Sequence, residues 1–273
     1  MTTRLDTELV RRGLARSRRH AGELIAAGRV LVEGRPARRN ATHVTAELGV
    51  SVAPADEPDY ASRAGHKLAG ALDALPQVDP VGRTCLDAGA STGGFTDVLL
   101  RRGASRVCAV DVGHDQLVDR LRDDPRVELR EGVNVRTLVA GDVEPAPSLV
   151  VADLSFISLA LVLPALVAVA ADDADLLVMV KPQFEVGRER LGSGGVVRDP
   201  DLRVEAVVGV AREAAELGLA VLGVVPSPLP GPSGNVEYFL WLAARPSGPQ
   251  GGGTVPVERI ARVVRGQEPG GAL

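Results

Sequence analysis

Cys85-Leu-Asp-Ala-Gly-Ala-Ser-Thr-Gly-Gly-Phe-Thr-Asp-Val-Leu-Leu100 decides the fold. Arg83-Thr84 leads into the end of a buried strand at Cys85, Leu86 and Asp87. Asp87 and Gly89 then open a tight turn of small residues, and Phe95, Val98 and Leu99 recur at helical spacing. Strand, glycine-rich turn and helix in this length is how a doubly wound sheet builds a nucleotide site. The glycines let the backbone approach a ligand, and the helix N-terminus presents free N–H groups.

The glycine spacing narrows the ligand. A dinucleotide fingerprint reads G-x-G-x-x-G. From Asp87 the order here is D-x-G-x-x-x-G-G, closer to the pattern of enzymes that use S-adenosylmethionine. That cofactor carries no phosphate and needs an acid near its amino-acid end. A second strand, Arg106 to Val112, carries Asp111 where an acid can hold ribose hydroxyls. Asn134 follows the third strand, where a loop can flank an adenine. The alternative is a strand–turn–helix corner with no ligand, but turn chemistry and both acids agree on a site.

Outward from this motif, strands alternate with helices from residue 83 to about 242, as in an α/β sheet. The strands read as 83–87, 106–112, 126–130, 148–153, 175–181, 219–225 and 236–242. Ligands in such sheets bind beyond the C-terminal strand ends. Asp87, Asp111, Asp153 and Lys181 all stand there. Of the 31 basic residues only Lys67 and Lys181 are lysines. Arginine is not deprotonated in a protein and lysine is, so both lysines are candidates for proton chemistry. A Pro/Gly-rich loop, Pro226 to Asn235, leads straight to Glu237. Lys67, Asp153, Lys181 and Glu237 beside a methyl donor suit methylation of a ribose hydroxyl, whose proton a neutral amine can take. Taken singly, each fits a structural ion pair. Gly187 to Asp199 reads equally as a surface loop or a lid.

The N-terminal residues differ in character. Residues 1–43 hold ten arginines against four acids, a net +6 in a chain of net charge −4. Leu5, Leu9 and Val10 mark one helix, stopped at Gly13. Ser17 caps a second with Ala21, Leu24 and Ile25 inward. Strand-like runs follow near 28–37 and 48–52. A basic module on an acidic body suggests polyanion binding; a solvated arginine face is the plainer reading. With 45% hydrophobic and 24% charged residues the chain is globular. No secretory signal is visible, the two cysteines fall in buried strands, and the apolar run Leu154–Ala171 is broken by Ser155, Ser158 and Pro164. A reduced, cytoplasmic protein without a membrane span is expected.

Residues 4–37 resemble the RNA-binding domain of small-subunit ribosomal protein four, including the Gly28–Gly34 hairpin. The resemblance implies that Arg4, Arg12, Arg16 and Arg18 face RNA phosphates, contacts that position RNA without reading sequence. From end to end the chain resembles the TlyA family of ribosomal RNA cytidine 2′-O-methyltransferases, historically also called haemolysins. The matching stretches are SRAGHKL, LDAGASTGGFTDVLL, VVADLSFISL, VKPQFEVG and PSPLPGPSGNVEYFLWL. The resemblance implies an RNA-binding domain (1–58), a linker (59–64) and a Rossmann-like FtsJ/RrmJ-type methyltransferase domain (65–245); the residues after it, glycine-rich over 246–253 and helical in pattern over 257–264, read as a flexible tail with a short helix (246–273). It implies a catalytic tetrad of Lys67, Asp153, Lys181 and Glu237, with no metal. Cofactor contacts are implied at Gly89, Ser91, Gly93, Gly94, Phe95, Asp111 and Asn134, to which the turn chemistry adds Asp87. The helix before Arg11-Arg12 resembles the longer family type, associated with both 16S and 23S RNA in small and large ribosomal subunits. A monomer is expected. One departure stands out: the family often carries Arg-x-Trp-Val before the SRGAHK stretch, and here Pro58-Asp-Tyr-Ala61 stands there. Two other classes are a membrane-lytic protein, as the older family name implies, and a non-catalytic RNA-binding or ribosome assembly factor.

Overall fold

The computed structural model describes residues 2–15, 17–53, 59–244 and 253–272. The chain divides into two compact units, Met1–Asp59 and Tyr60–Leu273.

The first unit runs β1 (Thr2–Arg4), α1 (Leu5–Arg11), α2 (Arg18–Ala26), β2 (Val30–Val32), β3 (Arg35–Pro36), β4 (His43–Thr45) and β5 (Val50–Val52). Ser17 caps α2 by accepting the His20 N–H at 3.2 Å. Leu5, Leu9, Ala21, Leu24, Ile25 and Val30 form its core. β2 pairs with both β3 and β5. The antiparallel β1–β4 pair was not foreseen: three residues are too few for a period-2 pattern to register.

The second unit continues with α3 (Arg63–Ala74), β6 (Thr84–Ala88), α4 (Gly94–Arg101), β7 (Arg106–Val110), α5 (Asp119–Arg122), β8 (Val127–Arg130), β9 (Leu149–Ala152), α6 (Leu163–Val169), β10 (Asp175–Val180), α7 (Pro182–Glu185), α8 (Pro200–Glu216), β11 (Leu219–Pro226), β12 (Tyr238–Ala244), α9 (Val257–Val264) and β13 (Gly271–Ala272). One sheet has the order β13-β11-β12-β10-β9-β6-β7-β8. β10, β9, β6, β7 and β8 are parallel, and β12 inserts antiparallel between β10 and β11. Chain order reverses between β6 and β9, which opens a crevice at the C-terminal strand ends.

Alternate strand residues feed two cores. Leu86, Val150, Val178 and Leu240 face Leu163, Val207 and Ile260 of α6, α8 and α9. Cys85, Val151, Met179 and Phe239 face Leu68 and Leu72 of α3 and Phe95 and Val98 of α4. The tail expectation needs revising from Gly253 onward. Val255, Ile260, Val263 and Val264 are buried, Tyr238 Oη donates to Val264 O at 3.1 Å, and β13 pairs with β11. The apolar side of α9 was visible in the sequence; the surface that receives it was not. The linker expected at 59–64 lies partly inside this unit's core. Tyr60 and Ala61 are buried, Ala61 N–H donates to Asp97 Oδ2 at 2.8 Å, and Ser62 caps α3. Pro58 lies outside the described residues.

Candidate active site

The strand periodicity that builds the second core also aims the polar residues. Asp87, Asp153, Lys181 and Glu237 keep the parity of Cys85, Val151, Met179 and Phe239, the face covered by α3 and α4. Just past the last paired residues, the β10–β12 register sets Lys181 opposite Glu237. The β9–β10 register sets Lys181 beside Ser155. Cross-strand neighbours of this kind stand about 5 Å apart at Cβ. Lys67 reaches the same face from α3.

Contacts follow this placement. Lys67 Nζ donates to Glu237 Oε2 at 2.5 Å, and both side chains are buried, at 8% and 1% exposure. Lys181 Nζ lies 2.7 Å from Asp153 Oδ1 and donates to Ser155 Oγ at 2.8 Å. The approach to Asp153 Oδ1 is off hydrogen-bond alignment, so that oxygen is charge-paired yet keeps an unfilled acceptor direction. Two lysine–carboxylate pairs thus stand at the ends of neighbouring strands, with one lysine supplied by α3. A buried pair of this kind is poor evidence for stability, because removing both ions from water offsets their attraction. It does fix amine positions closely.

A cavity of about 450 Å³ opens at the strand ends, lined by Gly89, Ser91, Asp111, Asn134, Asp153 and the apolar Val112, Val133, Val135 and Ile157 among others. Asp111 Oδ2 accepts from Ser91 N–H at 2.8 Å, and its Oδ1 from Gly113 N–H at 2.7 Å. Asn134 Oδ1 accepts from Arg136 N–H at 3.1 Å. Below the cavity, Asp87 is fully buried. Its Oδ2 accepts from Thr96 Oγ1 at 2.7 Å and its Oδ1 has no partner. Burial pushes the Asp87 carboxyl up to about 7; the Thr96 hydrogen bonds oppose this, and the nearby charges of Asp153 and Asp111 add to it. Asp111 and Asp153 line the cavity, and Asp153 Oδ1 keeps an unfilled acceptor direction, a lining that suits a cation better than a pyrophosphate. A sulfonium cofactor with an ammonium group fits this donor set, and a dinucleotide does not.

The two matched stretches agree with this division. An FtsJ-like methyltransferase family model matches residues 60–244, and an S4 domain model matches residues 3–50. A Mycobacterium tuberculosis protein named 16S/23S rRNA (cytidine-2′-O)-methyltransferase TlyA is 58% identical over 239 residues, covering 88% of this chain and 89% of that protein. The chain belongs to the TlyA family. Another relative is Hemolysin A of Brachyspira hyodysenteriae, 36% identical over 86% of this chain and 98% of its own length. The solved structure of a hemolysin-named protein from Streptococcus thermophilus superimposes with a TM-score of 0.75 at 35% identity, covering 97% of this chain and 95% of its own.

Set in this TlyA-family fold, the sequence-derived residues divide. Gly89, Ser91, Asp111, Asn134 and Asp153 line the cavity. Gly93, Gly94 and Phe95 do not. A Cβ on Gly94 would fall 2.3–3.0 Å from Ser62, Gly65 and Ala64 atoms, so this glycine lets α3 and α4 meet. Phe95 is buried against Phe239, ring centroids 6.0 Å apart. In the first unit, Arg4 and Arg18 flank Asp6, each with an Nη 3.0 Å from Oδ2, and keep partly exposed guanidinium groups. Arg12 is spent internally. It donates to Glu8 Oε1 and to the carbonyls of Leu48, Thr45 and Ala46, which corrects its expected place on phosphate. Arg16 lies outside the described residues.

Sequence reading missed Ser155, the third neighbour of Lys181, and Asn235. Asn235 accepts from Val197 N–H at 2.9 Å and donates to Gly195 O at 3.0 Å, which fastens part of the 187–199 loop beside Glu237. It also missed Phe156, 90% exposed with φ 65°. No spacing rule marks any of the three.

Proposed function

We propose that this chain transfers a methyl group from S-adenosylmethionine to the ribose 2′-hydroxyl of cytidine in 16S ribosomal RNA, 23S ribosomal RNA or both. Its relatives' names and the methyltransferase family model support the reaction. The observation that supports the chemistry most is the Lys181–Asp153 pair, whose Asp153 lines the cavity, with Glu237 before the adjacent strand β12 holding Lys67 of α3.

Asp111 and Asn134 would hold the adenosine portion, and the carboxyl groups of Asp153 and Asp87 the cationic portion. Bound there, the cofactor supplies a methyl group on a positively charged sulfur. A ribose hydroxyl is a poor nucleophile with a high pKa, so a base near it helps most as the bond forms. Lys181, in its neutral amine form, is the group proposed to take the hydroxyl proton. Asp153 and Ser155 fix its nitrogen, and Glu237, opposite Lys181 in the β10–β12 register, holds Lys67. Much of the remaining acceleration is positioning. A 2′-hydroxyl in a packed helix offers poor in-line access, so the target cytidine is extruded. Arg4 and Arg18 of the first unit would dock on backbone phosphates of the ribosomal subunit.

The test is methyl transfer from labelled S-adenosylmethionine to unmethylated 30S and 50S subunits, wild type beside Lys181→Arg. Label in RNA that disappears in the variant while RNA affinity persists is the expected result. No label on either subunit, despite cofactor binding, overturns the substrate assignment. Equal labelling by the variant overturns the role of Lys181, and equal RNA binding with no label from either protein favours a non-catalytic RNA binder. The Hemolysin A name of one relative motivates a membrane-lytic reading. Among the described residues no helix is long and apolar enough to cross a membrane, and a liposome-leakage assay with pure protein decides it.

A further inference from the structure

The loop after β9 carries much of the site. It holds Asp153 and Ser155, both against Lys181, and it forms one wall of the cavity through Asp153 to Ile157. It also holds Phe156 in the left-handed region, φ 65°, with its ring 5.3 Å from that of Phe184. A bulky residue keeps such a backbone only where its surroundings over-determine it.

Those surroundings centre on Glu185. It stands four residues after Lys181, at the end of the one-turn α7. Its Oε2 accepts from Ser158 Oγ at 2.6 Å and its Oε1 from Leu159 N–H at 3.0 Å. Ser158 Oγ in turn accepts from Ala160 N–H at 3.2 Å. Both carboxylate oxygens are therefore used, and both grip the far end of the loop whose near end meets Lys181. Burial pushes this carboxyl up, and only the two loop donors pull it back. Burying an acid without a cationic partner is a poor route to stability. It is a good route to fixed geometry, because two oxygens define both distance and rotation.

Resting on the methyltransferase reading above, we propose that Glu185 is a positioning residue for methyl transfer: it brackets the Asp153–Leu159 loop to the turn that carries Lys181. It touches neither substrate nor cofactor. It sets where Asp153 and Ser155 stand around the Lys181 nitrogen, and it shapes the cavity wall at the same time.

The experiment compares Glu185→Ala, Glu185→Gln and Ser158→Ala in the full chain. Three quantities are read: hydrogen exchange of the 153–160 segment, the dissociation constant for S-adenosylmethionine, and kcat with KM on ribosomal subunits. Glu185→Ala speeds exchange in that segment and not in β8, weakens cofactor binding severalfold, and lowers kcat about 100-fold with little change in KM for RNA, the scale of a displacement of about 1 Å. Glu185→Gln recovers most of the loss, since its amide oxygen accepts from Leu159 N–H and its NH₂ donates to Ser158 Oγ. Ser158→Ala, which removes one donor, falls between.

Glu185→Ala with wild-type exchange, or with faster exchange but wild-type kcat, overturns the proposal. So does Glu185→Gln with wild-type exchange and the kcat of the alanine variant, since the charge itself would then matter. If Glu185→Ala does not fold, Ser158→Ala decides by the same two readouts. If the wild type transfers no methyl at all, the functional reading fails, and the exchange arm still judges the bracket.

Discussion

Gly231 offers a sharp test of the tetrad geometry without touching the tetrad. A Cβ built there falls 2.5 Å from Glu237 Oε1 and 3.2 Å from its carboxyl carbon. Its backbone lies outside the left-handed region, so Gly231→Ala adds a methyl group and no backbone strain. The turn cannot swing away easily: Gly231 N–H donates to Asn235 O, and Gly231 O accepts from Gly234 N–H, each at 2.9 Å. Glu237 must therefore retreat about 1 Å to reach ordinary contact. It is buried, and its other oxygen is 2.5 Å from Lys67 Nζ. Full loss of a partner from such a pair costs about 3–5 kcal/mol. A displaced but surviving pair loses a part of that, on the order of 1–3 kcal/mol. At ~2–4 °C per kcal/mol for a domain of this size, the melting temperature falls by several degrees. Misplacement by about 1 Å lowers kcat on the order of 100-fold. Gly209→Ala serves as the control: nothing lies within 4 Å of its added Cβ in the interior of α8, so it gains roughly 0.5–1 kcal/mol of helix propensity. Methyl-transfer kinetics and thermal melts on both variants suffice. Gly231→Ala with wild-type kcat and an unchanged melting temperature would show that the Lys67–Glu237 pair tolerates displacement, and the reasoning would fall.

Asp87 keeps its proton in the folded state up to about pH 7 and loses it near the ordinary carboxylate value when unfolded. Stability therefore falls as pH rises across roughly pH 4 to 7. Asp87→Asn keeps an acceptor for Thr96 and removes this slope. Its melting-temperature advantage should grow over that interval and level off above it, and a pH-independent difference refutes the assignment. The first unit has the opposite sign. Hydrogen bonds from Arg11 and Arg12 hold Glu8 down to about 2, and those from Arg4, with Arg18, hold Asp6 well below the usual carboxylate range. Their stabilisation is present above about pH 4 and is lost as pH falls through the folded values. NMR signals of α1 followed in acid should broaden or shift there, and Glu8→Gln should flatten the response. Asn235→Ala leaves the Val197 N–H without its acceptor, at a cost of about 1–3 kcal/mol. Faster exchange at Val197 with little change in β8 is the expected signature; an unaffected Val197 would deny the fastening role.

The strand ends were legible because two independent signals coincide there. Buried parallel strands read as continuous Val, Leu and Ala runs, and each run stops at a charged residue in an otherwise apolar stretch. In a chain with two lysines, that made Lys181 conspicuous. Arg12 was not fully legible: Glu8 stands one helical turn away, but its other partners are main-chain carbonyls more than thirty residues away, and a carbonyl has no sequence signature. The same limit hid Glu185, whose partners are a serine and an N–H on another loop. The packing roles of Gly94 and Phe95 were hidden for a related reason. One glycine-rich turn serves both a ligand and a helix crossing, and composition does not separate the two.

Strand parity supplies what the motif left open. Asp87, Asp153, Lys181 and Glu237 come from four strands, yet each falls on the face that α3 covers, in phase with Cys85, Val151, Met179 and Phe239. A one-residue slip in β10 would send Lys181 to the opposite face and part it from Asp153 and Glu237 together. The residues that pack the sheet thus also fix which side chains meet at its edge. A change of register, rather than the loss of any one charge, is what this arrangement is least able to absorb.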